Sequence, residues 1–258
     1  MGAGCRKTRK GAMGSRLASA GAPGATMGYG RHVGLAIIML LASAACSTAK
    51  ASLVSTTGSA PQTSASDPVT YTARNGVRGM KVTVPSAGWT VYEDHPGEFT
   101  LSAADRFRDT KIHFRLDPLA FSTKAEPIPG VGGTPNALIA WLRHHPDLVV
   151  SPPRPVTIAG HVAGMSVDVG LSEKAVSMYP GCELCVDFLY FQGGNIGGYG
   201  IAGKEVLGLY LATLKNGGEP HTLEVDVDAP DAATLHAVTP IAEHIIASVV
   251  LPATVSAG

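Results

Sequence analysis

Apolar and polar residues alternate in short runs after residue 68, and glycine or proline separates most of these runs. A period of two residues is typical of half-buried antiparallel strands. In the run Lys111–Leu116, Ile112 and Phe114 share one face and His113 belongs to the other. We expect about nine strands, drawn from segments 69–72, 77–84, 89–92, 98–101, 111–116, 148–150, 156–158, 163–169, 186–191, 206–214 and 222–227.

Asn216-Gly217 separates the last two of these runs, and Asn-Gly between strands is a strong hairpin signal. Two stretches instead show helical spacing. Thr134 and Pro135 are suited to cap and open a mid-chain helix, which should end at His145 because Pro146 disfavours the helical conformation before it.

The C-terminal stretch 230–249 places Val238, Ile241, Ile245 and Val249 on one face of a second helix. Pro240 is expected to kink or divide this helix, and Thr239 is suited to cap its second half. The pattern as a whole predicts an α+β fold, an antiparallel sheet with a mid-chain helix and a C-terminal helix packed on it.

The apolar run Leu35–Cys46 follows six basic residues, and no acidic residue comes before Asp67. This arrangement predicts a secretory signal peptide over residues 1–45. Met27 would begin a compact signal peptide. Residues 1–26 are therefore interpreted either as the result of a translation start assigned too far upstream or as a leader without a structural role. An uncleaved anchor is the alternative, but about 20 residues are needed to cross the hydrocarbon core.

Ser43-Ala44-Ala45-Cys46 resembles a bacterial lipobox, although Ser43 stands where that family usually has leucine. The resemblance implies a lipid on Cys46 and a position at the outer face of the cell membrane. Ordinary signal-peptidase cleavage, which would give a freely secreted protein, is the alternative. Residues 46–67 are rich in Ser and Thr and are expected to be a disordered tether. A single α+β domain over 68–252 and a tail over 253–258 complete the predicted organisation.

The net charge of the exported part narrows the classes of partner that it is expected to bind. Six of the 20 Lys and Arg residues precede Cys46 and all 20 Asp and Glu follow it, so the exported part carries a net charge of −6. A mildly acidic domain lacks the basic surface of a nucleic-acid binder. It also lacks a polybasic patch for anionic lipid, so contact with the membrane is expected through the lipid on Cys46.

Cys182 and Cys185 are the two cysteines that fall within the predicted domain, as Cys-Glu-Leu-Cys. In an exported protein such a pair is expected to form a disulfide. A redox-active dithiol is an alternative, yet it favours a first cysteine at a helix amino terminus. A metal site is another, yet zinc takes four ligands, or three and water, and no second Cys or His pair has suitable spacing.

The segment Gly198–Lys204 matches G-x-G-x-x-G and also G-x-x-x-x-G-K. Glu205 occupies the position of the Ser or Thr that a P-loop needs, and a strand rather than a helix is predicted to follow. We interpret the segment as a mobile glycine-rich connection, and we predict no bound cofactor.

The sequence contains neither G-x-S-x-G nor H-E-x-x-H. The segment 93–95, Glu-Asp-His, is interpreted as a solvated turn, and His144-His145 as a helix end. Five aromatic residues are candidates either for the lining of an apolar pocket or for the ordinary core: Trp89, Trp141, Tyr179, Tyr190 and Phe191. The chemistry-bearing residues therefore favour a non-enzymatic protein.

The order of elements resembles the PsbP-type fold of photosystem extrinsic proteins and of bacterial envelope lipoproteins, including those of actinobacterial type. The residues that carry the resemblance are the turn Pro85–Trp89 and the ending Ile245–Val249, within residues 70–250. The resemblance implies a binding or assembly module without a shared catalytic motif. Its expected partner is an envelope protein, a lipid or a small ligand.

Overall fold

The computed structural model describes residues 67–85, 88–122, 126–131, 133–191 and 198–258. Cys46, the predicted signal peptide and the predicted tether up to residue 66 lie outside these residues. The helices of the described part are α1 (Pro135–His144), α2 (Ala232–Ala247) and a 3-10 turn at Asp105–Phe107. Its strands are β1 (Val69–Thr72), β2 (Lys81–Val84), β3 (Trp89–His95), β4 (Glu98–Ala103), β5 (Lys111–Leu116), β6 (Leu119–Ala120), β7 (Leu148–Val150), β8 (Arg154–Ile158), β9 (Val162–Leu171), β10 (Cys185–Tyr190), β11 (Gly198–Ala202), β12 (Val206–Asn216), β13 (Glu219–Ala229) and β14 (Val255–Ala257).

A nine-stranded antiparallel sheet, here called the main sheet, forms the centre of the fold. Its strand order is β3-β4-β5-β13-β12-β9-β7, with β8 also paired to β9 and β14 to β12. The predicted α+β class, with a mid-chain and a C-terminal helix on an antiparallel sheet, is confirmed. The main sheet also has the predicted number of about nine strands. Outside the predicted segments lie β6, β11 and β14, which are short or glycine-rich and carry little alternation.

One face of the main sheet packs against α2. Alternate residues of β4, β5 and β13 point to this side and are buried with apolar residues of the helix. The main contributors are Phe99, Leu101, Ile112, Phe114, Val225, Val227, Leu235, Val238 and Ile245. This layer contains most of the aromatic and branched residues that the alternation pattern placed in the core.

The opposite face is covered by α1 and by a three-stranded sheet of order β11-β10-β6, here called the covering sheet. Its apolar contacts lie over β9 and β12 and form a second core. That core includes Val167, Val169, Leu207, Leu209 and Leu211 from the main sheet, with Leu138, Leu142, Phe188 and Ile201 above them. Both faces of the main sheet are therefore buried over much of their extent.

The ends of α1 are as predicted. The Thr134 hydroxyl accepts a hydrogen bond from the Ala137 amide at 3.3 Å, and Pro135 occupies the first helical position. The helix ends at His144, with His145 as its C-cap. Asp231, rather than Thr239, caps α2 by accepting from the Thr234 amide at 2.7 Å.

Of the kink or division predicted at Pro240, the division is wrong, because α2 runs without a break through this residue. Buried Leu235 and Val238 precede Pro240 and buried Ala242 and Ile245 follow it, so both halves of the helix pack in the same core. The Thr239 hydroxyl instead donates to the Leu235 carbonyl at 2.7 Å. Burial of one face therefore outweighs the loss of the proline N–H.

The predicted hairpin between β12 and β13 is present, and its turn is Gly217-Gly218 because Asn216 pairs with Glu219. Gly217 and Gly218 take φ angles of 61° and 93°, which glycine adopts without strain. Beyond α2, β14 pairs with β12 within the segment predicted as a tail. None of the helices in the described residues is long and apolar enough to span a membrane.

Candidate functional site

Charged side chains occupy the face of β4, β5 and β13 that points away from α2. In the register of these strands, Glu98 and Glu224 lie on either side of Arg115. In the next row, Thr100 and Asp226 lie on either side of His113. We call the five titratable residues of these two rows the charge cluster: Glu98, His113, Arg115, Glu224 and Asp226.

The charge cluster is enclosed by protein. Each of its five residues is buried, and Arg115 is among the largest side chains with under 2% exposure. Burying charge is expensive unless each charge is paired and hydrogen-bonded. The contacts within the charge cluster therefore determine whether the domain is stable.

Arg115 is the centre of the network. Its Nε and Nη2 atoms donate to Glu98 Oε1 at 3.1 and 2.7 Å, and its Nη1 donates to Asp226 Oδ2. The Arg115 Cζ atom lies 3.9 Å from the centre of the Tyr199 ring and 4.7 Å from that of Phe191. The guanidinium is thus held by two carboxylates and also contacts two aromatic faces, which favours its charged form.

Tyr199 connects the covering sheet to this network. Its hydroxyl donates to Asp226 Oδ1 at 2.9 Å, and its ring makes an edge contact with His113, with centroids 5.5 Å apart. Phe191, which follows β10, contacts the Tyr199 ring with centroids 6.2 Å apart. Aromatic residues of the covering sheet thus lie over the charge cluster.

His113 is held as a neutral imidazole. Burial, followed by the nearby positive charge of Arg115, lowers the pKa of His113. Its Nδ1 lies 2.7 Å from Glu98 Oε1, so the neutral tautomer carries its proton on Nδ1 and donates it to that carboxylate. Its buried Nε2 has no hydrogen-bond partner among the described atoms.

The carboxyl groups of Glu98 and Glu224 differ in their preference for a proton. Burial would raise the pKa of Glu98, but the His113 hydrogen bond and the charge of Arg115 hold it well below its usual range. For Glu224, burial and then the neighbouring Asp226 carboxylate raise the pKa well above its usual range. Glu224 Oε2 is 3.6 Å from Arg115 Nη1, and the side chain of Asp226 is the other polar group close to this carboxyl.

This arrangement stabilises charge and can hold a proton, but it offers no exposed nucleophile. Among the described residues, no group of three or more His, Cys, Asp or Glu side chains is placed to hold a metal ion. The predicted cysteine pair lies elsewhere, before β10. The sulfurs of Cys182 and Cys185 lie at disulfide distance and their Cα atoms are 5.8 Å apart.

The cysteine pair belongs to a turn that leads into a strand, and neither cysteine begins a helix. Cys185 accepts a hydrogen bond from the Met178 amide at 2.8 Å and donates its own amide to Ser177 Oγ at 3.2 Å. These bonds tie the turn to the start of β10.

The interpretation of Gly198–Lys204 as a connection is wrong, because residues 198–202 form β11 and pair with β10. A Cβ atom at Gly200 would overlap the Val186 carbonyl, and one at Gly198 would overlap the Asp187 carboxylate. The glycines therefore allow close approach of two strands at a β-bulge. The strand predicted to follow these glycines is present as β12.

The five aromatic residues considered as a pocket lining do not come together. Trp89 lies in the core under α2, whereas Phe191 and Trp141 belong to the opposite layer. Tyr190 stacks on Phe121, with centroids 5.9 Å apart, and Tyr179 is 40% exposed. They are separate core and surface residues.

The predicted turn at 93–95 is instead the end of β3. Asp94 there accepts backbone hydrogen bonds from Arg74, Asn75 and Gly76 at 2.9 to 3.1 Å. Its carboxylate thus fixes the β1–β2 connection, and those bonds lower its pKa, although its partial burial acts in the opposite direction.

Sequence reasoning missed the charge cluster. The available signal was a row of polar residues at every second position on three strands, as in Glu224-x-Asp226-x-Asp228. Such a row is typical of a solvent-facing side of a sheet, and nothing local indicated that another sheet would cover it.

No protein-family model and no curated protein matches the sequence. The chain is structurally similar to the solution structure of PsbP from the cyanobacterium Synechocystis sp. PCC 6803, at 10% sequence identity. The alignment covers 76% of this chain and 99% of that protein, with a TM-score of 0.34. A likeness this distant says nothing about function.

Proposed function

We propose that this protein is an exported, lipid-anchored and non-enzymatic binding or assembly module of the cell envelope. The observation that carries the proposal is the sequence Ser43-Ala44-Ala45-Cys46 at the end of a short apolar run. A lipid on Cys46 would hold the chain at the outer face of the membrane, and the Ser/Thr-rich tether would let the folded domain stand away from it.

The burial of the charge cluster and the position of the two cysteines support a binding role for the domain. Its conspicuous group of titratable residues, the charge cluster, is buried beneath Phe191 and Tyr199 rather than open to a substrate. Cys182 and Cys185 lie at disulfide distance, which suits an oxidising compartment. The ligand or partner is proposed to be an envelope protein, a lipid or a small molecule.

The first experiment is an intact-mass measurement of the protein recovered from membranes of an actinobacterial host. We expect a chain that begins at Cys46 and carries added acyl mass. A Cys46→Ser variant should leave the membrane fraction. The control variant Cys182→Ser removes a different cysteine and should remain in the membrane fraction.

Recovery of a membrane-bound chain with an unmodified Cys46 would refute the lipid anchor. A chain that begins at Cys46 or Lys50 without lipid would identify a freely secreted protein. The non-enzymatic part of the proposal is tested separately, since turnover by the purified domain in a broad hydrolase and redox screen would contradict it.

A further inference from the structure

Two Asn-Gly pairs lie in the described part of the chain. They are Asn75-Gly76, in the connection between β1 and β2, and Asn216-Gly217, at the tip of the β12–β13 hairpin. Each asparagine follows a basic residue, Arg74 in the first pair and Lys215 in the second. Asparagine before glycine is chemically labile, because glycine has no Cβ atom to keep its backbone nitrogen away from the asparagine side chain. With matched neighbours in the sequence, a difference in reactivity between the two pairs has to come from the fold.

The reaction needs a free backbone amide and room to form a ring. The glycine nitrogen gives up its proton and attacks the Cγ atom of the preceding asparagine. A C–N bond forms, the bond from Cγ to Nδ2 breaks, and ammonia leaves with the proton, which gives a cyclic imide. Water then opens the imide: attack at Cγ gives aspartate, and attack at the main-chain carbonyl carbon gives isoaspartate. The net change is one amide exchanged for one carboxylate, with one water consumed and one ammonia released.

At Asn75-Gly76 the fold blocks both requirements. The Gly76 amide donates to Asp94 Oδ1 at 3.1 Å, and the Asn75 side-chain amide donates to the Asp94 carbonyl, also at 3.1 Å. Loss of the amide proton beside a carboxylate would place two negative charges together, which is unfavourable. In addition, a Cβ atom at Gly76 would lie 2.7 Å from the Glu98 carbonyl, so the backbone is packed against β4 and has no room to bend into a ring.

At Asn216-Gly217 neither restraint is present. Asn216 and Gly217 are exposed, and apart from the chain neighbours no atom lies within 4 Å of a Cβ atom built on Gly217. Among the described atoms, the Gly217 amide and the Asn216 side chain have no hydrogen-bond partner. The Asn216 backbone pairs with Glu219 and Val255, but these are the last pairs of their ladders, and ladder ends open more readily than their centres.

We propose that Asn216 is a site of spontaneous deamidation and isoaspartate formation, and that Asp94 protects Asn75 from the same reaction. A hydrogen bond to a charged group slows a reaction that needs the free donor by at least about tenfold. In the native protein, modification of Asn216 should therefore be at least about tenfold faster than modification of Asn75. Water is the co-reactant, and no enzyme is required.

The modification changes the end of β12 in two ways. Aspartate and isoaspartate each add one negative charge, and isoaspartate also adds one atom to the main chain. Because Asn216 pairs with Val255, the added atom disturbs the register in which β14 is held. Amide hydrogen exchange of β14 should therefore be faster in the modified fraction, separated by anion exchange, than in the fresh protein. Equal exchange in the two fractions would overturn this effect on β14.

The main test follows both sites in one sample. The purified protein is incubated at pH 8, digested with pepsin at acidic pH to stop the reaction, and analysed by peptide mass spectrometry that separates isoaspartate from aspartate. The same incubation in urea is the reference, and there the two sites should react at similar rates. Similar rates in the native protein would overturn the proposal, as would an unmodified Asn216 in the native protein after the urea sample has reacted.

The variant Asp94→Ala tests the protection of Asn75 directly. It should accelerate modification of Asn75 at least about tenfold and leave the rate at Asn216 unchanged. The control Asp168→Ala removes a half-exposed carboxylate from β9 and should change neither rate. An unchanged Asn75 rate in folded Asp94→Ala would overturn the protective role of Asp94. A variant that fails to fold would show the urea rates at both sites, and the comparison of native and unfolded wild type then decides.

Discussion

Replacing Arg115 with methionine tests whether the charge cluster depends on its buried cation. The substitution keeps an unbranched side chain against the rings of Phe191 and Tyr199 but removes the hydrogen bonds that Arg115 donates to Glu98 and Asp226. Removing one partner of a buried ion pair typically costs about 3–5 kcal/mol, because the remaining charges lose their compensation. That is a large fraction of the roughly 5–15 kcal/mol by which a domain is stable.

The assay is urea unfolding at pH 7, followed by circular dichroism. Arg154→Met is the matched control, because Arg154 pairs with Asp168 at 3.6 Å with both side chains about half exposed. Pairs of that kind contribute about 0–1 kcal/mol. We therefore expect Arg115→Met to reduce the free energy of unfolding several times more than Arg154→Met does.

The pH dependence gives a second check on the same variant. In the wild type, the lowered pKa of Glu98 contributes stability that is present above the ordinary glutamate value and is lost as the pH falls through the lowered one. Without Arg115, part of that contribution disappears, so the deficit of the variant should shrink at acidic pH. A loss below about 1 kcal/mol at pH 7, equal to that of Arg154→Met, would refute the view that Arg115 compensates the buried carboxylates.

Two further predictions concern the edges of the charge cluster and the covering sheet. Burial, and then the nearby Asp226 carboxylate, raise the pKa of Asp228 to about 7, so its protonated form stabilises the fold at acidic pH and this contribution is lost as the pH rises through 7. Asp228→Asn should therefore be more stable than the wild type at pH 8, by about 1–2 kcal/mol after allowance for solvent screening. At pH 4 the two proteins should be nearly equal in stability. Urea unfolding that shows no pH-dependent difference between them would contradict this prediction. Gly200→Ala forces a Cβ atom into the Val186 carbonyl and should lower the free energy of unfolding in urea by about 1–3 kcal/mol. The control Gly133→Ala has open space around its Cβ atom and should change that free energy by less than about 0.5 kcal/mol. Equal stabilities for these two alanine variants would show that β10 and β11 do not require the close approach.

Local sequence patterns were sufficient to predict the elements that are stabilised by contacts between residues close together in the sequence. Period-two alternation predicted β5 and β7 with their observed bounds, and the Thr134-Pro135 pair marked the start of α1. Asn216-Gly217 marked the tight turn of the β12–β13 hairpin, because positive φ angles there favour glycine. In each case the interactions that favour the element join residues close together in the sequence.

The errors arose where packing outweighed a local preference. Pro240 disfavours a continuous helix locally, yet apolar residues on both sides of it are buried against the main sheet and hold α2 together. The glycines of β11 disfavour a strand locally, yet the close approach to β10 requires them. These competing energies are set by partners distant in the sequence, so a single-sequence pattern does not contain them.

The sequence by itself determined the alternation of faces, the helix ends, the hairpin and the spacing of Cys182 and Cys185. It also placed His113 on the side of β5 that faces away from Ile112 and Phe114. Only the tertiary structure decided that this polar side is covered, because the covering sheet lies over it through contacts such as that of Tyr199 with Arg115. A local pattern of polar residues is the same whether that face of the sheet meets solvent or protein. Here the face is covered by protein, and this makes it a buried network that can hold a proton.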